Sequence, residues 1–400
     1  AALAASALAQ SDTRIVQLPE TDETRKEIDG IFETLAKITG LEPKRAVEFS
    51  RIERAGLKPF LEERVKEVVK PEELRAEEAA LKKFGFVPQN FDLKKTTIDL
   101  LSEQAAAFYD FRKHKLFLIG GGEELMQHTV LVHELAHALA DQHFDLEKYI
   151  ESGRKSDDGA LARMAVMEGQ ATWLMSEYLA HQTGNSLEDS PVLVKMMSTT
   201  AAMDTDRYPV FASVPLYLKE SLIFPYTKGM LFQHELFLKK RETAFSEPFR
   251  KPPASTQQIL HPEKYLEGVK PVRPKLPDFA QAGEYKDLTD GEIGEFDHAI
   301  LLRQYGGDEL AKELAPEWRG GFFKLLERKK DSRQVLVYAS QWSGAEAAGR
   351  YFAAYRKVLQ GKWKRMMVKV ATATELSGTG DDGAFTVTLD GVRVTSVEGK

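Results

Sequence analysis

The sequence predicts an α+β chain, mostly helical, on three observations. Apolar residues recur at helical spacing through the first eighty residues and again over 129–141, 160–179 and 221–238. Two short β-forming runs, 104–109 and 114–119, flank Asp110-Phe111-Arg112-Lys113 as the arms of a hairpin flank its turn. Beyond residue 330 strand-like runs at 334–339, 366–373, 384–389 and 392–397 surround one helical stretch, 345–359.

Length and composition set the frame. Four hundred residues, 42% hydrophobic and 29% charged, make an ordinary globular chain of two or three domains. The net charge of -6 comes with Lys and Arg dispersed among Asp and Glu, which excludes a basic stripe for nucleic acid. Residues 1–9 lack charge and end in Ala7-Leu8-Ala9 before Gln10, the small-x-small pattern of signal-peptide cleavage. An exported protein, periplasmic or extracellular, is therefore expected. The absence of cysteine removes disulfides as a check on that expectation. No later apolar run is long enough for a membrane span.

Taken in order, 10–83 reads as a helical region. Asp22, Glu23, Lys26 and Glu27 precede Ile28, Ile31, Phe32 and Leu35 at helical spacing, and Pro71-Glu72-Glu73 opens a fresh helix. A central unit is expected over 84–330. Gly85-Phe86-Val87-Pro88 breaks the helical pattern, 92–103 resumes it, and the hairpin leads through Gly120-Gly121-Gly122 into the run 129–141. Ser221 to Met230 opens a further apolar helix, and 265–291, rich in Pro, Lys and Asp, reads as a crossing loop. A small α+β unit over 331–400 completes the chain, with a hairpin around Asp390-Gly391.

The chemistry concentrates in TVLVHELAHALAD, residues 129–141. On a helix His133 and His137 lie one turn apart on one face, so both imidazoles can aim at a single point. Glu134 sits about 100° round the helix, placed to take a proton from a water there. Two histidines four apart also occur on plain helices, but burying them with a Glu among Val130, Leu131, Val132, Leu135, Ala136, Ala138, Leu139 and Ala140 is costly without an ion or hydrogen bonds. The HExxH pattern therefore predicts a Zn²⁺ site with a general base.

Catalytic zinc takes three protein ligands and keeps one position open. Glu168, isolated in the apolar helix of MEGQAT, is the favoured third ligand, and His143 is the alternative. The three-histidine pattern H-E-x-x-H-x-x-G-x-x-H needs a Gly to swing its third His round to the metal. Ala140 stands there instead and favours continued helix. Asp141 and Thr172, one turn after His137 and Glu168, are candidates to orient those ligands. Tyr226 and His261 are nominated as donors to the oxyanion of a hydrolysed amide.

HELAH followed by MEGQAT on a downstream helix resembles the gluzincin group of zinc metallopeptidases. LLSEQAAAFYD, VHELAHALADQHFDL, MEGQATWL and FPYTKGMLF are more closely similar to an uncharacterised family of exported bacterial HExxH proteins. The resemblance spans about 84–265. It implies a zincin-like catalytic unit in which His133, His137 and Glu168 bind zinc and Glu134 is the base, with a peptide or protein as substrate. The chain lacks the N-E-x-x-S-D and the shorter ligand spacing of better-known gluzincins. The alternative function is a non-catalytic, zinc-stabilised binding or assembly protein of the cell envelope. A purely structural site has no use for a base and would close its fourth position with protein, so Glu134 favours catalysis.

Overall fold

Local signals fix the helix ends that frame the site. The computed structural model describes residues 17–18, 21–53, 70–104, 107–120, 124–154, 156–200, 208–279 and 282–400. The expected signal remnant at 1–9 lies outside them. Helix α1 (Asp22–Thr39) starts where the Thr21 hydroxyl accepts the Thr24 N–H and stops at Gly40, whose left-handed φ of 67° a side chain would strain. Helix α2 (Pro71–Phe84) carries Pro at its start and ends on Gly85 in the same way.

The first sheet has the order β1-β2-β4-β3, from β1 (Gln17–Leu18), β2 (Glu48–Ile52), β3 (Ala107–Asp110) and β4 (Lys115–Ile119). The predicted hairpin is β3–β4, antiparallel, with β3 at the sheet edge. The region expected to be wholly helical contributes β2, which pairs parallel with β4. Helix α3 (Leu93–Gln104) precedes the hairpin and α4 (Glu124–Phe144) follows it. Leu131, Val132, Leu135, Ala138 and Leu139 of α4 share one core with Ile28, Phe32 and Leu35 of α1, Phe49 of β2 and Leu116 of β4. The sheet and α1 thus clamp α4 from one side.

Three longer helices follow among shorter ones: α5 (Asp157–Gln182), α6 (Pro191–Thr200) and α7 (Leu216–Lys240). Sequence reading opens α7 over Ser221 to Met230, with Tyr226 near its start. The helix instead begins at Leu216 and runs through Pro225, so Tyr226 sits mid-helix.

The second sheet is antiparallel throughout, in the order β5-β6-β7-β11-β10-β9-β8. Its strands are β5 (Tyr285–Glu292), β6 (Trp318–Arg328), β7 (Gln334–Trp342), β8 (Met367–Ala371), β9 (Glu375–Gly380), β10 (Gly383–Asp390) and β11 (Arg393–Glu398). Helices α8 (Glu295–Gly306) and α9 (Ala345–Lys362) pack with it around Tyr338, Trp342, Tyr351 and Tyr355. The sheet therefore begins upstream of the boundary expected at 331. An extended stretch at 269–279 crosses it, with the Val272 N–H on the Arg319 carbonyl, the Arg273 guanidinium over the Phe322 ring, and Leu276 and Phe279 on Leu326 and Val337.

Helix α2 joins the halves. Phe84 meets Phe323 and Tyr338 edge-on at 5.1 and 5.6 Å, and Phe86 meets Tyr217 of α7 at 4.3 Å. The fold is thus α+β, with helices in the majority and two sheets. Among the described residues no helix is long and apolar enough to cross a membrane.

Candidate metal centre

Helix α4 turns one polar edge toward α5. His133 Nε2 lies 3.1 Å from His137 Nε2, and Glu168 Oε2 lies 3.1 and 3.3 Å from the two. The side chains of His133, His137 and Glu168 are 12, 5 and 11% exposed, so solvent does little to satisfy them. Burial alone would raise the Glu168 carboxyl, but the two imidazoles outweigh it and hold it well below the usual carboxylate range. Among the described residues this is the one cluster of three or more groups able to hold an ion.

The donor set fits zinc. With metal–ligand bonds of about 2.0–2.1 Å, a tetrahedron has edges of about 3.3 Å. The three separations match that edge, and two imidazoles with one carboxylate are ordinary zinc donors.

Glu134 is tied to the first sheet. Its Oε2 accepts the Tyr109 main-chain N–H of β3 at 2.8 Å. Burial pushes its carboxyl up to about 7; the Glu168 charge adds to this, while His133 and the Tyr109 N–H oppose it. The carboxylate is therefore a stronger proton acceptor than a solvated one, and it is not one of the three grouped donors.

Tyr226 reaches the site from α7. Its ring stacks beside that of His133 at 6.0 Å, and its hydroxyl lies in the field of the Glu168 carboxylate. Burial, with the charges of Glu168 and Glu134, holds that hydroxyl well above its usual range, so it remains a donor. A close helix crossing brings it there. A Cβ on Gly229 would stand 2.1 Å from the Ala165 carbonyl oxygen and 3.0 Å from Gly169 Cα, so the α5 and α7 backbones touch next to Glu168. Gly229→Ala is expected to lower stability by about 1–3 kcal/mol despite the better helix propensity of Ala. Thermal denaturation checks this, and a raised midpoint would show that the crossing has slack.

The other nominated residues lie elsewhere. His261 Nε2 meets Glu295 Oε1 at 2.7 Å, beside Gln257, which donates to Glu295 and to the Trp318 carbonyl. Its contacts tie a short helix to the C-terminal unit and not to the triad, so the structure does not support it as an oxyanion donor. His143 Nε2 lies 2.8 Å from the Glu42 carbonyl oxygen, because α4 continues through Ala140 to Phe144 and carries it away. Asp141 accepts from Tyr109, His114 and the Leu146 N–H instead of orienting His137. The Thr172 hydroxyl is buried without a hydrogen-bond partner among the described residues, so it does not hold Glu168.

Sequence reasoning missed Tyr109, whose contribution is a main-chain N–H, and Phe111, whose ring meets His137 edge-on at 6.0 Å. The hairpin was the available signal, since it delivers both residues to α4.

A family model described as a domain of unknown function (DUF8575) matches residues 283–400. That stretch carries the second sheet and contains none of the triad. No curated protein and no solved structure matches the chain.

Proposed function

We infer that the chain is a zinc-dependent peptide hydrolase of gluzincin-like, zincin type, acting after export. The observation that carries this reading is the convergence of His133, His137 and Glu168 beside a separate half-buried carboxylate, Glu134, held by the main chain of β3. Bound there, zinc would act as a Lewis acid toward the scissile carbonyl and make a water acidic enough to attack it.

The residues of the chain supply the rest. Glu134 takes the proton of the attacking water and hands it to the leaving amine. Tyr226, kept protonated by its surroundings, donates to the oxygen that becomes charged. Among the described residues strand β3 is the outermost strand of its sheet and lies along α4, where an extended peptide can run beside it. A structural zinc site gains nothing from such an edge or from an unligated carboxylate.

Elemental analysis of purified protein is expected to give about one zinc per chain. Digestion of a peptide library should stop when a chelator is added and resume on adding zinc. Protein without stoichiometric metal would sink the proposal, and zinc without any cleavage would leave the envelope binding protein as the better reading.

A further inference from the structure

Asp141 was expected to serve His137, yet its contacts lead to the base. Its side chain has no solvent exposure, so an ionised carboxylate there needs protein donors. Its Oδ1 accepts the Leu146 N–H at 3.0 Å. Its Oδ2 has the Tyr109 hydroxyl at 2.9 Å and His114 Nδ1 at 2.7 Å, with the Arg45 guanidinium at 3.7 Å. Arg45 comes from the segment before β2, while Tyr109 and His114 lie at either end of the hairpin turn. His114 takes a left-handed φ of 50°, uncommon outside glycine, at the point where its ring meets Asp141.

Tyr109 therefore touches α4 twice. Its main-chain N–H holds Glu134 and its hydroxyl holds Asp141, seven residues or two helical turns further along the same face. Burial and the Asp141 charge keep that hydroxyl protonated, so the bond runs from Tyr109 to Asp141. Between the two contacts Phe111 packs against His137. Among the described residues β4 is the ladder partner of β3, and these contacts join β3 to α4.

We propose that Asp141 and Tyr109 are positioning residues for the base: Asp141 anchors the edge strand through the Tyr109 hydroxyl, and the anchored main chain fixes the Glu134 carboxylate beside the triad. This rests on the hydrolase reading for its consequence in catalysis, though not for its geometry. The anchor leaves the metal ligands untouched, so its loss should slow turnover without releasing the ion.

Tyr109→Phe is the gentle test, because it removes one hydroxyl and leaves Asp141 with Arg45, His114 and Leu146. Asp141→Asn, which removes the charge, is the second variant. Tyr265→Phe, whose hydroxyl only meets the Lys251 carbonyl, is the control. Both test variants are expected to keep wild-type zinc content and a KM within about twofold, while kcat falls about tenfold, in the range for groups that act through another residue. Amide exchange across 107–110 should accelerate in both and stay unchanged in the control. Wild-type kcat in Tyr109→Phe, or zinc lost together with activity, would overturn the proposal. So would unchanged exchange in β3, which reads the anchor even if the wild type cleaves nothing; that last result would count against the hydrolase reading alone.

Discussion

Glu134→Gln is expected to lower kcat by about 10³-fold or more while zinc content stays at the wild-type value. Glutamine has nearly the same shape, and its Oε1 can still accept the Tyr109 N–H that holds Glu134. What it loses is the ability to take a proton. The ligand atoms of His133, His137 and Glu168 meet one another and not Glu134, so the metal site should survive. Steady-state kinetics with a cleaved library peptide, alongside elemental analysis, measures both quantities. Full activity in the variant would remove Glu134 from the mechanism. Zinc lost along with turnover would instead make it a ligand.

Much of this centre was legible because burial of polar groups is costly. His133, His137 and Glu168 stand out as isolated polar residues in apolar helices, and Ala140 in place of a glycine argues for a helix that carries His143 past the other two histidines. The structure brings the first three together and leaves His143 on the Glu42 carbonyl. What side-chain patterns do not encode was not legible. The group holding Glu134 is a main-chain N–H, and the partners of Asp141 come from β3, the hairpin turn and the segment before β2.

The same limit explains the strands. β2 is five residues inside a charged region, and its pairing with β4 is set by a contact across more than sixty residues of sequence. β6 contains Gly320-Gly321 and charged residues, and the sequence reading assigns it no strand. A Cβ on Gly320 would stand 1.9 Å from the Val272 carbonyl oxygen, so the glycine is there for the crossing stretch and not to end the strand. Pro225 sits inside α7, where the contact with α5 at Gly229 and Gly169 outweighs the local rule against proline in a helix.

Glu168→Ala should weaken zinc binding by more than about 100-fold, beyond the 10–100-fold typical of residues that only support a ligand. His143→Ala should leave the affinity at the wild-type value, since His143 meets the Glu42 carbonyl at the end of α4. The electrostatics give the reason for the size of the effect. The Glu168 carboxylate is the one anionic donor among the three. Alanine leaves two neutral donors and no negative charge against a divalent ion in a buried site. Competition with a chromophoric chelator measures the affinity directly. Unchanged binding in Glu168→Ala with loss in His143→Ala would reverse the ligand choice and require the last turn of α4 to unwind, because an intact helix through Ala140 keeps that imidazole off the face shared by His133 and His137.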